Sequence, residues 1–204
     1  MSGRGRIGVL ISGRGSNMEA LAIACKEGQI AARVALVVSN EPAAAGLARA
    51  HRHGIETVVL DHRESRGRET HDRRVAEALD AAGCDLVCLA GYMRLLSPWF
   101  VAHYRNRIMN VHPALLPAFP GLDAQKAAWE HGVKVSGATV HFVDEDLDHG
   151  PIIVQAAVSV LEEDTADTLA ARILVEEHLI YPKAVGLFFE GRLEVEGRRV
   201  LVKS

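Results

Sequence analysis

Two short segments of this 204-residue chain combine side chains that could do chemistry, and the first is suited to stabilising a developing negative oxygen. Asn110-Val111-His112-Pro113 lies where a strand-length apolar run meets a proline-rich stretch. Residues two apart on a strand point the same way, so the Asn110 amide and the His112 imidazole share a face. A neutral donor beside a titratable one makes an oxyanion site, and Pro113 stiffens the exit from it. The second segment is acidic: Asp144-Glu145-Asp146-Leu147-Asp148-His149-Gly150-Pro151. Most of these charges suit a solvated loop, and that plain reading is as well supported as a functional one. Asp148 differs because Gly150 and Pro151 sharply shape the chain beside it. A carboxylate near His112 would favour the imidazolium, although spacing alone does not bring Asp148 there.

A third segment, Ser12-Gly13-Arg14-Gly15-Ser16-Asn17, follows an apolar run and opens a helical pattern. Glycines permit a tight turn, and the free amides of a helix start attract an anion. The dinucleotide pattern GxGxxG would need glycine at position 18, where this chain has Met18, and GxxxxGK[ST] does not occur. The loop therefore suits a single phosphate group. The competing reading is a turn with Ser16 or Asn17 as a simple helix cap. No metal is assigned. His51 and His53 face different sides of a predicted helix, His141 and His149 lack a second pair, and no HExxH occurs.

The elements that must position these residues alternate in the first half. Ile7–Ser12, Val34–Ser39, Thr57–Leu60 and Asp85–Ala90 read as short buried strands. Between them Met18–Glu27, Ala43–His53 and Arg68–Ala82 have helix-forming composition, ended by Gly28, Gly54 and Gly83. Strand–helix alternation predicts an α/β fold with an open, doubly wound, mostly parallel sheet and helices on both faces. Ligands are then expected beyond the carboxyl ends of the strands.

The second half changes character. Ile108–Val111 runs into Pro113, Pro117 and Pro120, so the chain there is a shaped loop. Asp123–His131 predicts a helix capped by Asp123 and ended by Gly132. Ala138–Val143 and Ile152–Ala156 are expected strands flanking the acidic loop. Thr168–Phe189 predicts a long helix that Pro182 kinks or interrupts. Leu193–Val195 and Val200–Val202 predict a short terminal hairpin. One domain over 1–204 is expected, with a phosphate-binding half (1–105) and a half carrying the candidate catalytic residues (106–204).

Hydrophobic residues make up 49%, charged residues 24%, and the net charge is −3. This describes a globular protein with no basic field to draw it to nucleic acid. Cys25, Cys84 and Cys88 form no CxxC pair, so buried thiols in a reducing compartment are expected. Met1–Arg6 holds no apolar run of signal-peptide length, and no stretch approaches a membrane span. A cytoplasmic protein, monomer or homodimer, is the expectation.

Taken together, VLISGRGSNMEAL, VVSN, LAGYMRLLSPWFV, RIMNVHPALLPAFPGL, GATVHFVDEDLDHGPII and EEHLIYP closely resemble the phosphoribosylglycinamide formyltransferase family, in the expected order along nearly the whole chain. The resemblance implies a Rossmann-like formyltransferase fold. It also implies formyl transfer from the co-substrate 10-formyltetrahydrofolate to the amine of glycinamide ribonucleotide, without metal. It further implies that Gly15, Ser16 and Asn17 cradle the ribonucleotide phosphate and that Glu177 contacts its ribose. Arg68, Leu89, Met93, Arg94, Leu95, Leu96, Asn110, Val143, Asp144 and Asp146 would bind the folate, the Asp144–Leu147 loop wrapping its pterin ring. Asn110, His112 and Asp148 match the family's catalytic trio. Without the resemblance, Met93–Leu96 would read as core. Three positions depart from the family pattern: Ala118 replaces a basic residue, Asp123 a histidine, and His149 a glycine where backbone freedom is expected.

Two related enzymes share the trio. A formyltetrahydrofolate deformylase uses water as acceptor and carries an extra N-terminal domain. A methionyl-tRNA formyltransferase usually carries a C-terminal RNA-binding domain. Neither fits this length. A dinucleotide-dependent dehydrogenase is disfavoured by Met18.

Overall fold

A computed structural model describes residues 5–203. Met1–Arg4, within the N-terminal segment that holds no apolar run of signal-peptide length, lie outside the described residues. The chain divides into two compact units, Met1–Met109 and Asn110–Ser204.

The first unit contains β1 (Gly5–Ile11), α1 (Ser16–Lys26), β2 (Ala32–Ser39), α2 (Ala45–Arg52), β3 (Thr57–Val59), α3 (Arg68–Ala81), β4 (Leu86–Leu89) and α4 (Pro98–His103). Its strands are ordered β3-β2-β1-β4, and each neighbouring pair is parallel. Consecutive residues of β1 and β4 are buried, including Ile7, Val9, Leu10, Ile11, Leu86, Val87 and Cys88. Both faces of this sheet are therefore covered, as parallel pairing requires. The helices end at the predicted glycines, which take left-handed backbone. Cys25, Cys84 and Cys88 are buried free thiols, and burial pushes Cys84 up to about 11. The sequence reading missed α4, whose start is marked only by the Ser97 cap on Phe100 N and by Pro98.

The second unit opens within β5 (Ile108–His112). It continues with α5 (Ala124–His131), β6 (Val135–Phe142), β7 (Ile152–Ser159), α6 (Ala166–Phe189), β8 (Leu193–Glu196) and β9 (Arg199–Val202). The β6–β7 pair is antiparallel and joined by the acidic loop, while β8–β9 forms the predicted hairpin. That hairpin meets β7 in parallel where Ile152 pairs with Arg199.

Two helix expectations need correction. Asp123 makes no side-chain cap, because its backbone is left-handed (φ 55°) rather than in the extended region from which a cap reaches the helix amides. The helix α6 runs uninterrupted through Pro182 and starts two residues early, at Ala166. Its true start is a reciprocal Thr165–Thr168 capping box, reinforced by Arg172 gripping Asp164 with two 2.7 Å contacts. Leu169, Ile173 and Tyr181 are fully buried along its inner face. Such side chains stabilise by about 1.5–3 kcal/mol each, so that together they outweigh the roughly 3 kcal/mol that a proline inside a helix costs. No described helix is long and apolar enough to cross a membrane.

Candidate active site

In the second unit β5 delivers Asn110 and His112 to one carboxylate. Asp148 Oδ1 accepts from Asn110 Nδ2 at 3.4 Å, and Oδ2 lies 3.3 Å from His112 Nδ1. The shared partner confirms that the two β5 residues face the same way. It also supplies the contact that spacing did not establish. A third donor, Gly121 N–H, reaches Asp148 Oδ2 at 2.8 Å. The side chains of His112 and Asp148 are only 5% and 8% exposed, so these contacts are little screened by water. On its other side His112 Nε2 donates to Phe119 O at 2.8 Å. Both ring nitrogens thus face oxygen atoms, Asp148 Oδ2 on one side and Phe119 O on the other.

The proline-rich loop that supplies Phe119 and Gly121 is stitched to the strands beneath it. Thr139 Oγ1 on β6 donates to Ala114 O at 2.7 Å and accepts from Leu116 N–H at 3.0 Å. Gln155 on β7 donates to Leu116 O at 2.9 Å. Phe119 takes a left-handed backbone (φ 51°), which turns its carbonyl onto the imidazole. Ala118 and Asp123, two of the departures, are exposed on or beside this loop.

The acidic loop resolves the third departure. His149 needs no left-handed backbone, whereas its neighbour Asp148 adopts it (φ 50°). The tight approach is at Gly150, where a Cβ would lie 1.8 Å from Phe142 O. His149 is an exposed tether instead. Its Nδ1 is 3.0 Å from Asp144 Oδ2, and its carbonyl accepts from Arg198 on the β8–β9 turn at 2.7 Å. Val143 and Asp144 are half-buried, while Asp146 and Leu147 are exposed. Glu177 is buried on α6.

Sequence reasoning missed His141, although it belongs to this cluster. It is 1% exposed on β6, with Nδ1 2.8 Å from Phe142 O, and Nε2 3.3 Å from Asn110 Nδ2 and 3.8 Å from Asp148 Oδ1. Burial pushes its pKa down, outweighing the Phe142 carbonyl and Asp148. Its signal was faint: one histidine among ten, on a strand whose register shifts between Val140 and His141.

The first unit holds the glycine loop and the apolar run. Gly15 precedes α1 in left-handed backbone (φ 72°), and no side chain caps the helix. The simple Ser or Asn cap is therefore not what this turn is for, and Ser16 and Asn17 lie inside the helix. Gly46 presses against the loop from α2: its N–H donates to Gly13 O at 2.9 Å. A Cβ on Gly15 would meet Gly46 Cα at 2.7 Å. Sequence reasoning missed Gly46 too, since a glycine inside a helix carries no spacing signal.

Met93 and Leu95 are 63% and 51% exposed, which excludes the core-packing reading of that run. Its two ends are pinned by α3. His71 Nε2 lies 3.0 Å from Tyr92 Oη, and Ser97 N–H donates to Asp72 Oδ2 at 2.6 Å. Burial pushes His71 down to about 4 and Asp72 up. Ser12 joins this run to the glycine loop, accepting from Met93 N–H at 2.8 Å and donating to Asn40 Oδ1 at 2.5 Å. Arg68 is the exposed first residue of α3, and Leu89 is buried at the end of β4. Arg94 and Leu96 are half-buried.

Comparison with known proteins agrees with these features. The formyl transferase family model matches residues 5–185. A phosphoribosylglycinamide formyltransferase of Escherichia coli is 46% identical over 187 residues, covering 92% of this chain and 88% of that protein. A trifunctional purine biosynthetic protein adenosine-3 of Drosophila melanogaster is 49% identical over 190 residues. That match covers 92% of this chain and 14% of that protein. The crystal structure of glycinamide ribonucleotide transformylase 1 from Symbiobacterium toebii superposes with a TM-score of 0.98 at 54% identity, covering 100% of this chain and 96% of that one. A formyltetrahydrofolate deformylase from Burkholderia mallei is more distant, at 30% identity and a TM-score of 0.89, and this chain covers 71% of it.

Proposed function

The chain belongs to the formyl transferase family, and from that premise we propose that it moves the formyl group of 10-formyltetrahydrofolate onto the amine of glycinamide ribonucleotide, in the cytoplasm, as a step of purine synthesis. The observation that carries the reading is the single buried carboxylate of Asp148 joining Asn110 and His112.

The chemistry follows from that arrangement. The amine nitrogen attacks the formyl carbon, a carbon–nitrogen bond forms, and the carbonyl electron pair moves onto oxygen. His112 and Asn110 donate to that oxygen, with Asp148 compensating the imidazolium charge. The Phe119 carbonyl on His112 Nε2 yields to it, because a charged acceptor makes a hydrogen bond about twice as strong as a neutral one. Collapse of the tetrahedral species breaks the bond to the folate nitrogen. The proton lost by the amine passes to that nitrogen through a water held by Asp148.

The remaining roles follow the same reading. Gly15, Ser16 and Asn17 bind the ribonucleotide phosphate at the uncapped start of α1, and Glu177 binds the ribose. Met93, Leu95 and the half-buried Arg94 and Leu96 contact the folate, as do Arg68 and Leu89. Val143, Asp144 and Asp146 form the pterin loop. A phosphate-binding loop favours a phosphorylated amine over water as the acceptor, which separates this reading from the deformylase.

The test is formyl transfer with and without the ribonucleotide, in wild type and His112→Ala. Folate product should appear only with the ribonucleotide and fall about 10²–10³-fold in the variant. Equal release without the ribonucleotide makes water the acceptor and defeats the proposal.

A further inference from the structure

We infer that His141 is a positioning residue that fixes which end of the Asn110 amide faces the reacting oxygen. The inference rests on the functional reading above and extends it to a residue with no assigned role.

The orientation follows from hydrogen-bond accounting. The buried His141 ring is held neutral, because burial lowers its proton affinity. Its Nδ1 lies 2.8 Å from Phe142 O, an acceptor, so Nδ1 carries the proton. Its Nε2 is then a lone pair in a site 1% exposed, which needs a donor. Among the described residues the donor placed there is Asn110 Nδ2, at 3.3 Å. Asp148 Oδ1, 3.4 Å from the same nitrogen, is also an acceptor. Two acceptors at one end of the amide admit only the NH2 group. A flipped Asn110 would set its carbonyl oxygen against a lone pair and a carboxylate.

The consequence for catalysis is directional. Asn110 Nδ2 has two hydrogens. One stays on His141 Nε2 throughout, and the other, on the long contact to Asp148, is released to the developing oxyanion. Without His141 Nε2 the amide loses half of what sets its orientation, and the flipped form presents an oxygen where negative charge develops. His141 touches no reacting atom and acts through Asn110 alone.

Two measurements test this. In the wild-type protein, the 15N chemical shifts of the His141 ring should show Nε2 as the unprotonated, pyridine-like nitrogen; a pyrrole-like Nε2 overturns the inference without any variant. The second is a double-mutant cycle using His141→Leu and Asn110→Ala. His141→Leu should lower kcat about tenfold, the weight of roughly one neutral hydrogen bond, with KM for both substrates within twofold of wild type. In the Asn110→Ala background it should cost less than twofold, because the group it positions is gone. A full tenfold loss in both backgrounds marks a general structural role and overturns the inference. His141→Gln, which keeps a side-chain acceptor and nearly the same volume, serves if the leucine variant does not fold. It should recover most of the lost rate, and no recovery in a folded protein counts against the inference. Absence of transfer to the ribonucleotide by wild type would instead defeat the functional reading, leaving the nitrogen shifts to report on the contact itself.

Discussion

Replacing Gly150 by alanine offers a graded displacement of Asp148 that leaves the carboxylate intact. A Cβ at position 150 would stand 1.8 Å from Phe142 O, 2.8 Å from Phe142 C and 3.2 Å from Asp144 N. Real Cβ contacts essentially never fall below 3.0 Å, so the acidic loop or the end of β6 must retreat by at least 1.2 Å, the difference between 3.0 and 1.8. Asp148 lies two residues away. If the retreat reaches it, its 2.8 Å bond from Gly121 N–H lengthens to about 4 Å and is lost, and the 3.3 Å contact to His112 goes with it. Misplacement of about 1 Å in a catalytic arrangement costs roughly 10² in rate, or about 2.7 kcal/mol of barrier. Steady-state formyl transfer should therefore show kcat down about a hundredfold in Gly150→Ala. Thermal unfolding measured alongside should show the protein still folded, since the displaced segment is mostly exposed loop. A folded Gly150→Ala with kcat within twofold of wild type would refute the claim that loop placement sets the Asp148–His112 contact.

Gly15→Ala meets two obstacles, a left-handed backbone (φ 72°) and the Gly46 Cα at 2.7 Å. It should raise KM for the ribonucleotide at least tenfold and leave KM for the folate unchanged; equal effects on both would remove the phosphate loop from the binding role. The buried His71 gives a pH dependence of stability. Its pKa drops to about 4 on folding from the ordinary 6.5, so below pH 6.5 the unfolded chain binds the proton more readily. This contribution is fully present above pH 6.5 and is lost as pH falls toward 4, by about 2 kcal/mol between pH 7 and pH 5. Urea unfolding at those two pH values should show a smaller loss in His71→Phe than in wild type, and equal losses would contradict the assignment.

The sequence made some of this arrangement legible and hid the rest for definable reasons. Asn110 and His112 were readable as a pair because strand alternation is a local rule. Asp148 was not, because its approach depends on a left-handed turn and a backbone contact at Gly150, and neither leaves a periodic trace. The need for a glycine was expected at position 149, but close approach falls one residue later and the left-handed turn one residue earlier. His141 was hidden by abundance among ten histidines. Its neutral, accepting state is produced by burial, which residue type does not disclose. The strands and most helices were found within a few residues. The Asp123 cap failed because preference for a residue at a helix start does not fix its backbone angles.

Ser12 has a consequence of a different kind. One hydroxyl oxygen accepts from Met93 and donates to Asn40, joining the glycine loop to the start of the exposed apolar run. On the proposed reading these two segments hold different molecules, the ribonucleotide phosphate at one and the folate at the other. Ser12 then acts as a gauge, setting how far apart two separately bound reactants are held before either arrives. Enzymes that join two substrates depend on such a fixed interval, because the reacting atoms must meet without either molecule being pulled from its own anchor. Here that interval is set at one residue, by the Ser12 hydroxyl on Met93 N–H and by the Ser12 N–H on Gly91 O at 3.0 Å.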